Sequence, residues 1–403
     1  MTIRLLGVQI ANGLSPEARV YARLLRGCSP GSVTAQTLFH DWPGDRESAR
    51  LFASESGTPT FPLDFGWRSV ASGRPAWEKV RDRLRFYAAL PRALALARAA
   101  NPDVIYSCQQ FWDCRAATFL AQRLGKPQII HLHYIIGPWL YAPVLERLKT
   151  CAHVLTVSEF IRDEALQFGI APERVTAIRN TLPVPPPPEP GTRAAVRREL
   201  GIPLEAPLLG IVARLDPDKG QADTLRALAR LRPRYPDVRL LVVGAETPWH
   251  PGYANTLRAL SEELKLTEAV LFLGARPDVP RLLAALDIFV HPTRHDPCPI
   301  APLEASVSSL PTVAYAEGGM RELVAQGETG LLATPGDVAA LSACLEELLA
   351  DPARARRMGQ AARRREETQF PPERSGEIFT EIVRQVVHAP SRLLEPVALR
   401  PTP

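Results

Sequence analysis

Short apolar segments alternate along the chain with stretches that carry helix-start signals, and this alternation restricts the fold more than any other feature. The segments fall at 4–10, 104–107, 128–131 and 154–157 in the first half, and at 208–213 and 288–290 in the second. Segments of this length between turn residues are typical of buried strands. Strands that alternate with helices form parallel sheets with helices on both faces, so we predict an α/β fold with doubly wound sheets.

A proline-rich segment divides the chain near its middle. Residues 183–190 read Pro-Val-Pro-Pro-Pro-Pro-Glu-Pro, a composition that favours a stiff, extended polyproline conformation. The full length of 403 residues is enough for two to three domains, each with its own core. We therefore predict two domains joined by a linker at 183–191.

One strand-loop-helix corner in the second half carries two carboxylates. The stretch Asp296-Pro-Cys-Pro-Ile-Ala-Pro-Leu-Glu304 follows the apolar segment 288–290 and leads into a predicted helix that begins near Ile300. The free backbone N–H groups of Ile300 and Ala301 make this helix start a candidate anion site. Carboxylates that accept hydroxyl hydrogen bonds, beside amides that bind phosphate, suit a sugar nucleotide.

Two further corners of the same kind carry cations and a glycine pair. The segment 208–213 runs into Arg214-Leu-Asp-Pro-Asp-Lys219-Gly, and a helix is predicted from about 221. Cations at the carboxyl end of a strand lie where open α/β sheets bind ligands, and they can neutralise a diphosphate. The pair Gly318-Gly319 stands before a third predicted helix start, where glycine permits close backbone approach to a ligand.

In this order and spacing, the three corners resemble those of the retaining GT-B glycosyltransferases of family 4. That family carries Gly-Arg-Leu-x(3)-Lys-Gly, then Glu-x(7)-Glu, then a Gly-Gly loop, and this chain has Ala213-Arg-Leu-x(3)-Lys-Gly220, Asp296-x(7)-Glu304 and the glycine pair. The chain departs from the family in having Asp at 296, Ala at 213, and Cys-Pro where Phe-Gly is common. Asp keeps the charge with a shorter reach, which leaves the donor sugar open.

The resemblance implies a GT-B fold, in which two Rossmann-like domains face each other across a cleft. It implies an N-terminal acceptor domain at 1–182 and a nucleotide-sugar-binding domain at 192–372. A helix at 373–388 would cross back to the first domain, and we expect the tail at 389–403 to be disordered towards its end.

The resemblance also implies the activity: transfer of a sugar from a nucleoside-diphosphate sugar to an acceptor hydroxyl, with retained anomeric configuration and no cofactor. Arg214, Lys219, the Ile300 and Ala301 amides and the Gly318-Gly319 loop would stabilise charge on the diphosphate. Glu304 would hold the ribose and Asp296 the donor sugar. Contacts to the base would come largely from backbone at Ala275 and Arg276.

The first half supplies weaker candidates. On the family pattern, His133 matches a histidine that lies in the cleft beside the donor sugar, and Tyr134 replaces the family's Asp. The alternative is that His131 and His133 lie on one strand face and merely pack. Gly13, in the turn Asn-Gly-Leu-Ser after the first strand, would face the diphosphate or belong to an ordinary loop. For Ser158 we favour a helix N-cap over a role in the site.

Metal binding is not expected. Asp216-Pro-Asp218 has the Asp-x-Asp form of a metal motif, but it lies between two cations that already neutralise phosphate charge. Nucleic acid is also disfavoured as a partner, because the basic residues match no nucleic-acid motif.

A membrane partner stays open. Residues 77–98 interleave basic and large apolar side chains, which is typical either of a helix on an anionic membrane or of a solvated helix broken at Pro91. The net charge of +5 and the pI near 9.0 allow both. No apolar run reaches the length of a membrane span.

The six scattered cysteines, without a Cys-x-x-Cys pair, favour reduced thiols in the cytoplasm. The first apolar segment is short, and we interpret it as a strand rather than a signal peptide because a helix at 16–27 follows directly. The expected location is therefore the cytoplasm, with the inner face of the membrane as an option.

Two other functions fit parts of the pattern. A nucleotide-sugar 2-epimerase of the same fold would need acid and base groups and no acceptor. A non-catalytic scaffold would keep the fold without the chemistry, although the presence of Arg214, Lys219 and Glu304 disfavours it.

Overall fold

The chain forms two compact units. Unit 1 comprises Met1–Thr181 and Pro372–Pro403, and unit 2 comprises Leu182–Pro371. The computed structural model describes residues 2–11, 13–41, 47–66, 74–108, 111–137, 140 and 142–388. The predicted tail at 389–403 and Asn12 of the predicted turn lie outside these residues.

Unit 1 contains a seven-stranded parallel sheet in the order β3-β2-β1-β4-β5-β6-β7. Its strands within the described residues are β1 (Ile3–Gln9), β2 (Val33–His40), β3 (Thr60–Leu63), β4 (Val104–Cys108), β5 (Gln128–Leu132), β6 (His153–Thr156) and β7 (Val175–Ala177). Its helices there are α1 (Pro16–Gly27), α2 (Glu47–Ser56), α3 (Ala76–Ala100), α4 (Phe111–Leu124), α5 (Ala142–Thr150), α6 (Glu159–Gln167) and the last helix, α15 (Pro372–His388).

Unit 2 contains a six-stranded parallel sheet in the order β10-β9-β8-β11-β12-β13. Its strands are β8 (Leu208–Val212), β9 (Arg239–Val243), β10 (Val270–Gly274), β11 (Ile288–His291), β12 (Thr312–Tyr315) and β13 (Gly330–Ala333). Its helices are α7 (Thr192–Glu199), α8 (Gln221–Leu231), α9 (Tyr253–Glu263), α10 (Val279–Leu283), α11 (Ile300–Val307), α12 (Met320–Leu323), α13 (Val338–Ala350) and α14 (Pro352–Gln369). The prediction of an α/β fold with two doubly wound sheets is confirmed.

The central strands are buried along their whole length. All five residues of β4 and all four of β11 are buried, because helices cover both faces of each sheet. Among the described residues, apolar clusters accordingly lie on both faces of each sheet. In both sheets the strand order reverses once, between β1 and β4 in unit 1 and between β8 and β11 in unit 2. Ligands of open α/β sheets bind at the carboxyl ends of the strands beside such a reversal.

The alternative of a helix broken at Pro91 is wrong. Helix α3 runs without interruption from Ala76 to Ala100 with Pro91 inside it. Proline removes one backbone hydrogen bond of a helix and normally kinks it. Here Phe86, Leu90 and Ala93 are buried on the same side of the helix, and this packing against the sheet outweighs the lost hydrogen bond.

Helix α15 packs on α1 within unit 1 through two glycines. A Cβ atom built on Gly376 would lie 1.9 Å from the carbonyl carbon of Gly27, and one built on Gly27 would lie 2.7 Å from the carbonyl oxygen of Pro372. Phe379 and Val383 of α15 are fully buried in the cluster that this contact closes. The approach of the two helix backbones therefore depends on the absence of side chains at both positions.

We expect Gly376→Ala to lower the thermal stability of the protein, because the new methyl group overlaps the Gly27 backbone. Overpacking of this kind costs about 1–3 kcal/mol. The measurement is the apparent melting temperature, with Glu377→Ala at the neighbouring exposed position as the control. Equal melting temperatures for the two variants would show that α15 moves away from α1 without cost.

Candidate active site

The loop after β8 carries the two predicted cations. Its centre is a 3-10 turn, Pro217–Lys219, capped by Asp216, whose Oδ1 accepts the amide N–H of Asp218 at 3.1 Å. Gly220 then begins α8 with φ +73°, and a Cβ there would lie 2.1 Å from the carbonyl oxygen of Pro292 in the loop after β11. Only glycine therefore lets α8 begin this close to the neighbouring loop.

Lys219 joins this loop to the loop after β11. Its Nζ donates a hydrogen bond to Oδ2 of Asp296, and both side chains are largely shielded from solvent. The two residues are far apart in sequence and meet because β8 and β11 are neighbours in the sheet. The structure thus brings together one predicted cation and one predicted carboxylate as an ion pair.

Helix α11 begins directly after this loop with Pro299 as its N-cap residue and without a side-chain cap. The first backbone N–H groups of a helix have no partner within it, so the amides of Ile300 and Ala301 are available at this corner. Glu304 lies one turn further along α11 and is half-buried. The predicted anion site therefore has the expected local structure.

The Gly318-Gly319 pair lies against the loop that holds Asp296. The Gly319 amide donates to the carbonyl oxygen of Asp296 at 3.0 Å. A Cβ on Gly318 would lie 2.4 Å from that oxygen, and one on Gly319 would lie 1.9 Å from the carbonyl oxygen of Pro297. The close contacts that require glycine here are thus made with the protein's own backbone, and the pair supports the Asp296 loop.

Three side chains that the sequence analysis did not single out hold the same loop from the other side. Arg294 Nη2 and the Tyr315 hydroxyl each donate to Oδ2 of Asp223 at 3.0 Å. The Arg294 amide also donates to the carbonyl oxygen of Asp218 at 2.8 Å. Burial, together with the Asp223 carboxylate, raises the pKa of Tyr315 above its ordinary value, so its hydroxyl remains a donor. These contacts connect the loops after β8, β11 and β12.

Asp216 has partners that account for its position without a metal. Its Oδ2 accepts the indole N–H of Trp249 at 3.0 Å, while its Oδ1 caps the turn. Among the residues that the structure describes, no group of three His, Cys, Asp or Glu side chains is arranged to hold a metal ion.

His291 ends β11 as a buried imidazole behind the Lys219–Asp296 pair. Neither ring nitrogen has a hydrogen-bond partner among the described residues, and the ring stacks on Phe289 with centroids 6.0 Å apart. Burial lowers the pKa of His291 to about 4. The imidazole is therefore neutral near pH 7 and adds no charge to the ion pair in front of it.

The corner after β10 exposes backbone but engages its arginine. Arg276 Nε and Nη2 donate to the two carboxylate oxygens of Asp278, each at 2.7 Å, and Nη2 also lies 3.4 Å from Glu199. Hydrogen bonds from Arg276 lower the pKa of Asp278 to about 2. The side chain of Arg276 is thus held by neighbouring carboxylates, and Ala275 beside it is exposed.

In unit 1, His133 follows β5 in a polar cluster. Its ring lies 4.2 Å from that of His131, centroid to centroid, and the Tyr134 hydroxyl donates to Oε1 of Glu17 on α1. Burial lowers the pKa of His133 to about 4, although the Glu17 carboxylate opposes that effect. Burial would raise the pKa of Glu17, but His133 and the hydrogen bond from Tyr134 outweigh it and leave that pKa below its usual value. A neutral imidazole beside an ionised carboxylate suits a sugar hydroxyl.

Two other candidates of the first half, His131 and Ser158, have structural roles. His131 Nδ1 is hydrogen-bonded to the Tyr106 hydroxyl at 2.8 Å, which confirms that this histidine packs in the core. Ser158 caps α6 by accepting the amide N–H of Ile161 at 3.3 Å, as predicted. Gly13 has φ +70°, and its carbonyl oxygen accepts the Ser15 amide, so it forms a tight turn before α1.

Two family profiles match the chain. "Glycosyl transferases group 1" matches residues 192–365, and "Glycosyltransferase Family 4" matches residues 44–184.

Curated relatives are similar over more than half of the chain. A GDP-mannose-dependent alpha-(1-6)-phosphatidylinositol monomannoside mannosyltransferase of Mycolicibacterium smegmatis is 34% identical over 60% of this chain and 66% of its own length. A glycogen synthase of Mycobacterium tuberculosis is 34% identical over 69% of this chain and 68% of its own length. The aligned region thus spans about two thirds of each of these relatives.

Solved structures share the fold. Anabaena HepE in complex with UDP superposes with a TM-score of 0.78 over 95% of this chain and 100% of that one, at 20% identity. A sucrose-phosphate synthase from Thermosynechococcus elongatus superposes with a TM-score of 0.77 over 95% of this chain and 99% of that one, also at 20% identity. These similarities confirm the GT-B fold.

We expect the free energy of unfolding to fall as the pH drops from about 6.5, the ordinary pKa of histidine, to about 4, the pKa of His291 in the fold. In this window the unfolded chain binds a proton that the buried imidazole does not, so acid favours unfolding. Replacing His291 with Asn removes this titration and should flatten the pH dependence, by up to about 3 kcal/mol across the window.

Denaturant unfolding at several pH values measures this effect. His295→Asn is the matched control, because that ring is exposed on the same loop. An unchanged pH slope in His291→Asn would contradict the assignment of a buried, neutral imidazole.

Proposed function

We propose that this chain, which belongs to the group 1 glycosyltransferases, transfers a sugar from a nucleoside-diphosphate sugar to an acceptor hydroxyl with retained anomeric configuration. The observation that carries the proposal is the meeting of Lys219 and Asp296 at the carboxyl ends of β8 and β11. One of these groups suits a phosphate and the other suits sugar hydroxyls. Their contact lies at the reversal of the strand order, where such sheets bind ligands, and this supports the proposal.

Departure of the nucleoside diphosphate is the demanding step, because negative charge develops on the leaving group. Arg214 and Lys219 supply fixed positive charge, and the amides of Ile300 and Ala301 supply hydrogen-bond donors at a helix N-terminus. An ammonium group has three N–H donors, so Lys219 keeps its bond to Asp296 while it donates to phosphate oxygens. The ion pair then links the diphosphate to the group that holds the sugar.

The two carboxylates have different tasks. Asp296 would orient the hydroxyls of the transferred sugar, and Glu304, one turn along α11, would hold the ribose. The base would contact backbone near Ala275, since the Arg276 side chain is engaged by Asp278. We propose that no metal is needed, because Arg214 and Lys219 provide the charge that a metal would otherwise supply.

The relatives support a nucleotide-sugar donor and leave its identity open. The M. smegmatis relative is named for GDP-mannose, and the HepE structures contain UDP or UDP-glucose. The name of the M. smegmatis relative indicates a lipid acceptor, phosphatidylinositol monomannoside. The M. tuberculosis relative is named for glycogen. We propose a nucleoside-diphosphate hexose as the donor and a glycan, lipid or small molecule as the acceptor.

A donor panel tests this function. We expect UDP or GDP, and one of their sugar conjugates, to raise the melting temperature, because a ligand that binds only the folded state stabilises it by mass action. Arg214→Ala and Lys219→Ala should each remove most of this shift and lower kcat/KM with the identified donor by roughly 100-fold. Arg230→Ala, which removes an exposed arginine from α8, should leave both quantities unchanged.

Product analysis with the identified donor completes the test. Transfer to an acceptor should persist in excess EDTA, and NMR of the product should show the anomeric configuration of the donor. Conversion of the donor alone into an epimer would contradict the proposal. A fall in kcat/KM as large in Arg230→Ala as in Lys219→Ala would also contradict it.

Helix α3 presents an apolar stripe that the described residues leave uncovered. Trp77, Val80, Leu84 and Tyr87 follow helical spacing and are 62%, 55%, 65% and 39% exposed. Basic side chains flank the stripe on both sides of the helix axis, at Lys79, Arg81, Arg83, Arg85 and Arg92. In the described part of the chain, no helix is both long enough and apolar enough to span a bilayer. We propose that this face lies on an anionic membrane surface, which in the cytoplasm is the inner face.

We expect the protein to bind vesicles that contain phosphatidylglycerol and not vesicles of phosphatidylcholine alone. The double variant Trp77→Ser, Leu84→Ser should reduce binding at least tenfold, since it removes two of the most exposed apolar side chains. Vesicle co-sedimentation measures the bound fraction, and Leu204→Ser, an exposed leucine of unit 2, is the control. Equal binding by the two variants would remove α3 as the contact.

A further inference from the structure

Trp249 contacts two residues of the loop that carries the two site cations, Arg214 and Asp216. It lies in the segment after β9 and is 43% exposed. The Arg214 guanidinium lies over the ring at 5.2 Å from its centroid, and the indole N–H donates to Oδ2 of Asp216 at 3.0 Å. We propose that Trp249 is a positioning residue that holds this loop in the conformation that binds a diphosphate.

The contact with Arg214 fixes a side chain that would otherwise be mobile. Arg214 is exposed, and a long exposed side chain loses rotamer freedom when it binds a ligand. A guanidinium stacks well on an indole face, and its N–H groups, which lie in the plane of the guanidinium, can still donate to other partners. The indole therefore orders the guanidinium before a ligand binds, so that binding costs less side-chain conformational entropy.

The contact with Asp216 acts on the other cation through the backbone. Asp216 caps the turn Pro217–Lys219 through its Oδ1, while its Oδ2 is held by Trp249. The carbonyl oxygen of Asp216 also accepts the amide of Lys219 at 2.9 Å. A carboxylate anchored on one oxygen keeps the other oxygen directed at the turn, so the indole N–H stabilises the backbone from which Lys219 extends.

The backbone brings Trp249 close to this loop. The amide of Ala213 donates to the carbonyl oxygen of Val243 at 3.0 Å, and that of Leu215 to the carbonyl oxygen of Ala245 at 2.8 Å. These bonds extend the pairing of β8 with β9 into the loops. Gly244 has φ +147°, and a Cβ there would lie 1.8 Å from the carbonyl oxygen of Ala213. The segment that carries Trp249 is thus built against the Arg214 loop.

A double-mutant cycle between Trp249 and Arg214 tests the inference, which rests on the diphosphate role proposed for Arg214. The measured quantity is the dissociation constant of UDP and of GDP by calorimetry. We expect Trp249→Ala to weaken binding about five- to tenfold, and Trp249→Phe to weaken it less, because phenylalanine keeps a ring face under the guanidinium. In the Arg214→Ala background, Trp249→Ala should cost less than in the wild type, because only its contact with Asp216 is then left to lose.

The outcomes separate the inference from the function on which it rests. If Arg214→Ala alone leaves the affinity for both nucleotides unchanged, the diphosphate role itself is wrong. If Arg214→Ala weakens binding but Trp249→Ala does not, Trp249 is not a positioning residue. If Trp249→Ala costs as much in the Arg214→Ala background as in the wild type, Trp249 does not position Arg214. Leu204→Ala controls for the loss of an exposed apolar side chain and should leave binding unchanged.

Discussion

The pairing of β8 with β11 is the constraint on which the candidate site depends. The two strands are neighbours in the sheet although five helices and strands, from α8 to α10, separate them in the chain. The loops that follow them therefore meet at one edge of the sheet. An ion pair between Lys219 and Asp296 joins the two loops, and Gly220 lets their backbones approach closely. A different strand order would keep every motif residue in the sequence, but the loops after β8 and β11 would no longer meet and the site would not form.

Around this contact the polar groups of the loops are satisfied mostly by the protein itself. Asp223 accepts from Arg294 and Tyr315, and Asp216 accepts from Trp249 and from the nearby amide of Asp218. The three bonds from side chains cross between segments that are distant in sequence. Buried polar groups that find partners stabilise a unique arrangement, whereas unsatisfied ones are costly. The loops are thus preorganised before a ligand binds, and preorganised charge is what stabilises a leaving group without further rearrangement.

The sequence predicted the elements of the fold well and the support of the site poorly. Helix α8 begins at 221 as predicted, because a glycine at a strand-to-helix turn is a local signal. Trp249, Arg294 and Glu17 were not predicted, because their roles arise from partners 33 or more residues away and no local pattern marks them. The alternative of a helix broken at Pro91 was wrong for the opposite reason. Proline strongly disfavours a helix interior, but the packing of α3 outweighs that local preference.

The departure from the family pattern at 298–299 is consistent with the same preorganisation. Pro299 has no N–H to offer a ligand, so the amides that face the site begin one residue later, at Ile300. Because Pro299 also has no side chain that accepts a hydrogen bond, α11 begins uncapped, and α8 likewise begins uncapped after Gly220. Two helix N-termini without side-chain caps, on neighbouring strands, direct unsatisfied amides and the positive ends of their dipoles to one edge of the sheet. The carboxylate of Asp296 lies at this edge, is held by Lys219, and balances part of that positive charge.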